Sequence, residues 1–176
     1  MSAAALIDGL EFAHALQELH GTLAVASLQR LEDVLFDTQG SLDYELRGAR
    51  DERNRPRLEL TVEGPLSLQC QRCLGRLDYE VEVSGTLLVV PKGTPIDEDM
   101  DDPEAPDVLE VEGELDVEAL VEDEVLLSLP LAPRHPEGQC LSRLGQQLAE
   151  SEGAAERPNA FAQLAALKRP PPPNKR

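Results

Sequence analysis

The chain contains three cysteines, and two of them, Cys70 and Cys73, form a C-x-x-C motif. Two thiolates at this spacing can point to one spot from a tight turn, as they do in zinc knuckles, but a tetrahedral zinc site needs two more ligands. A second segment offers both, because His135 and Cys140 stand there with four residues between them. The residue types and their spacing therefore predict one zinc site made of three thiolates and one imidazole.

Two other interpretations of the cysteines stay open at this point. They are plain reduced thiols, since C-x-x-C also arises by chance and over 60 residues separate the two halves of the predicted site, or they are a redox dithiol. The redox interpretation is the weakest of the three. A thioredoxin-like motif precedes a helix whose N-terminus lowers a thiol pKa, whereas this motif stands between two strand patterns.

Catalytic motifs are scarce in the sequence. Four protein ligands would close a zinc site, whereas a hydrolytic zinc needs an open coordination position, and no H-E-x-x-H motif occurs. The chain also lacks a Gly-rich phosphate loop and a G-x-S-x-G elbow. We therefore expect a protein that is not an enzyme and that has no small-molecule substrate.

Composition limits the type of protein. The 176 residues include no Trp and only 3% aromatic residues, while 41% are hydrophobic, so any core must be aliphatic. No apolar run of about 18 residues is present to span a bilayer, and the N-terminus lacks a secretory pattern. We expect a soluble, cytoplasmic protein whose odd number of cysteines are reduced thiols or metal ligands.

The net charge of −18 is unevenly distributed along the chain. Fifteen of the 34 acidic residues lie between Asp97 and Glu124, a span without Lys or Arg. Residues 47–76 contain seven arginines and four acids, and five basic residues with no acid follow Glu156. This distribution leaves separate basic surfaces for phosphate and an acidic segment for a basic protein, or else an ordinary solvated surface.

The hydrophobic periodicity predicts helices near the N-terminus, followed along the chain by strands. Apolar residues from Leu10 to Leu19 are spaced as in a helix that Gly21 ends, and Ser27 can cap a second short helix reaching Leu35. Alternating patterns then predict strands over residues 42–46, 57–70 and 77–90, with a bulge at Gly64-Pro65. The C-x-x-C motif would lie at the tip of the hairpin formed by the last two strands.

The rest of the chain predicts an acidic loop over residues 94–107, a short strand over 108–112 and a helix capped by Asp116 and stopped by Pro130. The fold class is therefore α+β: an antiparallel β-meander or partly open barrel with N-terminal helices, one helix after the acidic loop and a mobile C-terminal tail. We expect one domain over residues 1–140 and a polar, partly disordered segment over 141–176 with a short helix at 159–168.

Three separated motifs resemble those of the bacterial YceD family, the large ribosomal RNA subunit accumulation proteins. They are the C-x-x-C motif, the V-E-D-E-V-L-L-S-L-P-L run at residues 121–131 followed by His135 and Cys140, and the segment at residues 158–168. The resemblance covers residues 40–169. It implies a role in accumulation of 23S ribosomal RNA and in ribosome biogenesis, in a family commonly encoded beside a small large-subunit ribosomal protein. It carries over no catalytic, metal or RNA-binding residues.

The family resemblance and the charge pattern together suggest the partners, which are ribosomal RNA, a basic large-subunit ribosomal protein, or both, and no membrane. The nucleic-acid-binding candidates are Arg47, Arg50, Arg53, Arg55, Arg57, Arg72 and Arg76. Because few aromatic residues accompany them, contacts with phosphate or RNA shape would have to replace base stacking. The protein-partner candidates are Glu122, Asp123, Glu124, Phe161 and Leu164. The three acids are alternatively the solvated face of a helix.

Overall fold

The computed structural model of this chain describes residues 5–95 and 107–140. Strands contain far more of the residues in these two ranges than helices do. The elements are β1 (Leu6–Asp8), α1 (Gly9–His14), β2 (Glu18–Ala24), β3 (Ser41–Arg50), β4 (Pro56–Gln69), β5 (Arg76–Pro91), β6 (Asp107–Val111), β7 (Glu114–Asp116) and α2 (Val117–Ser128).

The main element is a five-stranded sheet with the order β2-β3-β4-β5-β6. Its first four strands are antiparallel neighbours in chain order, and β6 runs parallel to β5. Strands β1 and β7 form a separate antiparallel pair. The sheet stays open, because β2 and β6 do not pair with each other. The predicted α+β class and the partly open meander are confirmed, while the parallel β6 and the β1–β7 pair were not expected.

The long hairpin of β4 and β5 positions the C-x-x-C motif. Its antiparallel pairing continues without a break from Arg57 opposite Leu88 to Gln69 opposite Arg76. The bulge predicted at Gly64-Pro65 is therefore absent. Gly64 is nevertheless required, because its φ is +148° and a Cβ there would lie 2.9 Å from the Ser41 carbonyl oxygen.

One face of the sheet packs into an aliphatic core against the two helices. Side chains of β3 and β4 alternate between buried and exposed or half-buried, as expected for strands with one covered face. Helix α2 closes this core because its apolar residues repeat at helical spacing. Fully or nearly fully buried members are Phe12, Leu42, Leu46, Leu58, Leu60, Val62, Leu68, Val117, Val121 and Val125. No helix in the described ranges is long and apolar enough to cross a membrane.

Helix α2 starts and ends where its sequence predicts. The Asp116 side chain accepts hydrogen bonds from the backbone N–H groups of Glu118 and Ala119, which satisfies two donors that have no partner within the helix. The helix ends at Ser128, two residues before Pro130. Its inner side is further fixed by Glu122, which binds the backbone and guanidinium of Arg30.

The predicted N-terminal helices are only partly correct. Helix α1 ends at His14, Leu16 adopts a φ of +52°, and the chain then enters β2. Leu19 and Leu23 belong to that strand, so pairing with β3 overrides the helical spacing of Leu16 and Leu19. The second predicted helix is instead two 3₁₀ turns, Val25–Ser27 and Gln29–Leu31. The predicted helix at 159–168, the mobile tail and most of the acidic loop lie outside the described residues.

Candidate metal centre

The C-x-x-C motif lies at the hairpin tip, in a turn held by two backbone hydrogen bonds. The Cys70 N–H donates to the Gly75 carbonyl at 2.9 Å, and the Leu74 N–H donates to the Cys70 carbonyl at 2.8 Å. Leu74 has a φ of +56°, so the chain reverses within a few residues and re-enters β5. We call residues 70–75 the knuckle. Its geometry leaves the thiols of Cys70 and Cys73 on the same side.

The segment that contains His135 lies directly against the knuckle. The Gln71 N–H donates to the Pro133 carbonyl at 2.8 Å, and the Arg72 guanidinium donates to the His135 carbonyl at 3.1 Å. These bonds bring Nδ1 of His135 to 3.5 Å from Sγ of Cys73, although 62 residues separate them in sequence. The long-range pairing of the two sequence motifs therefore exists in the fold.

The imidazole of His135 is oriented as a metal ligand. Its Nε2 lies 2.8 Å from the Arg76 carbonyl oxygen, which can only accept a hydrogen bond. Nε2 must therefore carry the proton, and in the neutral ring Nδ1 keeps its lone pair and faces Cys73. Ligating histidines generally donate their second N–H to a carbonyl or carboxylate in this way.

All four predicted ligands come together. The ligand atoms of Cys70, Cys73, His135 and Cys140 lie within 4.8 Å of one another, and none of the three cysteines forms a disulfide. With Zn–S bonds of about 2.3 Å, neighbouring sulfurs of a tetrahedral site lie roughly 3.8 Å apart, so the cluster is close to the size that zinc requires. Cys70 and Cys140 are buried, whereas Cys73 and His135 are half-buried.

The environment of Cys70 favours its thiolate form. Burial raises the pKa of this thiol, but hydrogen bonds from the backbone of His135, Arg72 and Cys73, together with the Cys73 side chain, lower it more. The net result brings the pKa of Cys70 from 9.0 to about 5. N–H groups directed at a sulfur are the usual surroundings of a thiolate ligand, because they favour the charged form that binds metal.

The donor set suits zinc and would fill all four of its coordination positions. Thiolate and imidazole ligands in a four-atom cluster are typical of structural zinc sites, whereas catalytic sites keep a position for water. A metal held here would join the knuckle to the segment that follows α2. The donor set and the oriented histidine therefore fit a structural metal.

Comparison with known proteins agrees with this motif pattern. The family model described as "Large ribosomal RNA subunit accumulation protein YceD" matches residues 58–168. A Haemophilus influenzae protein with the same name is 31% identical over 170 residues, which cover 92% of this chain and 94% of the relative. This chain belongs to the YceD family. No solved structure matches it.

The matched region of this YceD-family chain includes all four candidate metal ligands, but only some of the arginines predicted to bind RNA. Arg72 and Arg76 lie at the knuckle, while the other arginine candidates lie on β3, on β4 or in the turn between them. Several of these charges are offset by neighbouring carboxylates. The ion pairs are Arg47–Glu45, Arg55–Asp51, Arg57–Glu59 and Arg76–Asp78, and Arg50 instead contacts His14 and Asn54.

The acidic candidates on α2 have different surroundings. The Glu122 carboxylate is buried and accepts from the backbone N–H and Nε of Arg30 at 2.6 and 2.8 Å, while Asp123 accepts from the same guanidinium at 2.5 Å. Glu124 is half-buried, and burial, with the nearby charges of Asp107 and Asp123, raises its pKa. Phe161 and Leu164 lie outside the described residues.

Sequence reasoning missed three features of this YceD-family protein. The Arg76 carbonyl that orients His135 is a backbone group and leaves no signal in the sequence. The H-x-E spacing of His135 and Glu137, which zinc deaminases use, is visible in the sequence but was overlooked. The third is a group of carboxylates on the outer sheet face, which becomes visible only once the strands are placed in register.

Proposed function

We propose that this YceD-family protein acts in the cytoplasm as a non-enzymatic factor that supports 23S ribosomal RNA accumulation and assembly of the large ribosomal subunit. The family and the Haemophilus influenzae relative are both named for large ribosomal RNA subunit accumulation. The observation that supports a structural rather than a catalytic protein is the closed set of three thiols and one oriented imidazole.

In this proposal Cys70, Cys73, His135 and Cys140 hold one zinc ion. The metal would supply a cross-link between the hairpin tip and the segment after α2, in addition to the hydrogen bonds that Gln71 and Arg72 donate to Pro133 and His135. Three thiolates and a neutral imidazole give the zinc site a net charge of about −1. The Arg72 guanidinium, which donates to the His135 carbonyl, is placed to offset that charge.

The zinc-dependent enzyme is the second candidate, and Glu137 is the observation that favours it. It follows His135 with the spacing of a deaminase general acid/base. However, deaminases use three protein ligands and reserve the fourth position for water, whereas Cys140 supplies a fourth ligand here. A thiol oxidoreductase is disfavoured as well, because the motif lies between two strands and not at a helix N-terminus.

The direct partner of the proposed factor is ribosomal RNA or a basic ribosomal protein. RNA contact would use the arginines of the β3–β4 end and of the knuckle, but the ion pairs at Arg47, Arg55, Arg57 and Arg76 reduce the positive charge left for phosphate. Arg134, beside the knuckle, is exposed and forms no ion pair with any described residue. A protein partner would use acidic surfaces.

The function and the zinc site are tested together in cells and with purified protein. Natively purified protein should contain about one zinc per chain, and Cys73→Ser should lose it. In cells without the endogenous protein, the wild type should restore the ratio of 23S to small-subunit ribosomal RNA, and Cys73→Ser should not. Glu137→Ala is the matched control, because it should keep both the zinc and the RNA ratio.

Two results would contradict these proposals. Freshly prepared protein without metal would exclude the zinc site. An RNA ratio that drops in Glu137→Ala while its zinc content stays normal would favour the enzyme over the assembly factor.

A further inference from the structure

The outer face of the sheet, opposite the core, carries a group of aligned carboxylates. Asp43 on β3 lies opposite Glu63 on β4, which lies opposite Glu82 on β5. Glu80 precedes Glu82 by two residues and so shares its face. All four side chains are exposed. We call Asp43, Glu63, Glu80 and Glu82 the acidic row.

The acidic row differs from the other acids of this face. Glu18 and Glu45 each lie within ion-pair distance of Arg47, and Glu59 pairs with Arg57. No Lys or Arg in residues 5–95 or 107–140 forms an ion pair with a member of the row. Asp43 accepts a hydrogen bond from the Thr22 hydroxyl at 2.6 Å, which contributes no charge. Within residues 5–95 and 107–140, the row therefore lacks the positive charge that balances the other acids.

The row also lines a depression in the surface. A cleft of about 380 Å³ is bordered by the four carboxylates together with Gly64 and Val81. A second cleft, of about 250 Å³, continues from Asp43 and Glu63 to His20 on the edge strand β2. The cleft on the outer face thus lies at the acidic row, whose charges no described Lys or Arg pairs with.

Stability does not account for this arrangement. Like charges placed directly opposite each other on neighbouring strands destabilise a sheet. The adjacent register on the same face, Glu45-Thr61-Ser84, shows that hydroxyl side chains occupy such positions without repulsion. A cationic group bound across the strands would remove the repulsion in the acidic row. The arrangement therefore fits a bound cationic partner better than a free surface.

We propose that the acidic row binds an extended, arginine- or lysine-rich segment of a basic protein. This inference rests on the proposed function and names the class of its protein partner. In an extended segment every second side chain points to the same face at intervals of about 6.7 Å, and neighbouring strands of the sheet lie about 4.8 Å apart. Successive basic side chains of one segment would thus reach different carboxylates of the row. Each guanidinium group can donate two parallel hydrogen bonds to one carboxylate. RNA does not fit, because its phosphates would meet uncompensated negative charge.

The test measures binding of a fluorescent ten-residue peptide of alternating arginine and serine to full-length protein by anisotropy. Glu63→Lys with Glu82→Lys should weaken binding at least tenfold. The matched control, Glu32→Lys with Asp33→Lys, makes the same charge change at exposed residues away from this face and should change binding less than threefold. Unchanged binding in the first variant, or equal losses in both, would overturn the proposal.

Two further full-length variants exclude other sources of peptide binding. Neutralising the acids at 97–102 should leave binding within threefold, and a larger loss there than in the acidic-row variant would assign the peptide to that segment instead. Neutralising Lys168, Arg169, Lys175 and Arg176 should also leave it unchanged. A tenfold gain would mean that the chain's own basic end occupies the row, which would overturn a partner site.

The cellular assay separates this inference from the proposed function. If the acidic-row variant, Glu63→Lys with Glu82→Lys, loses peptide binding and lowers the 23S ribosomal RNA ratio, the partner site and the proposed function are both supported. If it restores a normal ratio while Cys73→Ser does not, the row is not the functional partner site and the proposed function survives. If Cys73→Ser, shown to lack zinc, restores a normal ratio, the proposed zinc-dependent function fails regardless of peptide binding.

Discussion

The knuckle and the acidic row are two polar regions on neighbouring parts of the same hairpin, and their charges are balanced in different ways. At the knuckle, N–H groups from three residues favour the Cys70 thiolate, and a carbonyl fixes the His135 ring. In the acidic row, four exposed carboxylates share one face of the sheet, and no Lys or Arg in the described residues forms an ion pair with them. A region whose charges are satisfied internally contributes to the fold, whereas one whose charges are left unbalanced suggests a partner.

Removing the metal should have the largest effect on stability. For zinc present at about 1,000 times its Kd, binding only to the folded state stabilises it by about 4 kcal/mol. We therefore expect Cys73→Ser, or treatment with a strong chelator, to lower the free energy of unfolding by about that amount, as measured by denaturant unfolding with and without added zinc. A chelator-treated wild type with unchanged stability would show that the knuckle is held by its hydrogen bonds alone.

Truncating Glu122 should have the next largest effect and would distinguish a structural carboxylate from one that binds a partner. Glu122→Ala leaves the backbone N–H of Arg30 without its acceptor and should cost about 1–3 kcal/mol of stability. The exposed neighbour gives a control, since Asp123→Ala keeps that bond and should cost less than about 1 kcal/mol. Both values come from urea unfolding. Equal costs would mean that the hydrogen bonds between Glu122 and Arg30 stabilise the fold no more than the exposed ion pair of Asp123 does.

A single reversal in the acidic row should separate stability from binding. Glu63→Lys converts two repulsive cross-strand pairs into attractive ones and should raise the free energy of unfolding by about 0.2–1 kcal/mol. The same substitution should weaken binding of the arginine–serine peptide. Thermal unfolding and anisotropy on one preparation measure both. A variant that is less stable than the wild type would show that the row is not a source of repulsion.

The smallest expected effect concerns Glu124, whose pKa is raised by burial and by the charges of Asp107 and Asp123. A raised folded-state pKa means that the stabilising contribution is complete below the ordinary carboxyl pKa and is lost as pH rises through the folded value. Glu124→Gln should therefore be slightly more stable than the wild type at pH 7, and the difference should shrink towards pH 4. Urea unfolding at the two pH values measures it, and a difference that grows at low pH would contradict the sign.

The sequence was most informative where few residue types can perform a role, and least informative where a structure depends on pairing between strands far apart in sequence. Cys70, Cys73, His135 and Cys140 were predicted as one cluster because few residue types bind zinc and their spacing restricts the geometry. The α2 cap at Asp116 was equally predictable from local chemistry. By contrast, Leu16 and Leu19 fit a helix until β3 offers them a strand partner. The acidic row depends on the register of three strands, which no local pattern specifies.

The carbonyl of Arg76 has a consequence for how the hairpin finds its pairing. That group belongs to the first residue of β5 and accepts a hydrogen bond from His135, one of the candidate metal ligands, while the last residue of β4 precedes Cys70. A slip of one residue between the two strands would turn each side chain of the moving strand to the opposite face and would also separate Cys70 from its Gly75 partner. Only one alignment of β4 with β5 can therefore complete the ligand set, so a metal bound there would favour the native strand register over a slipped one.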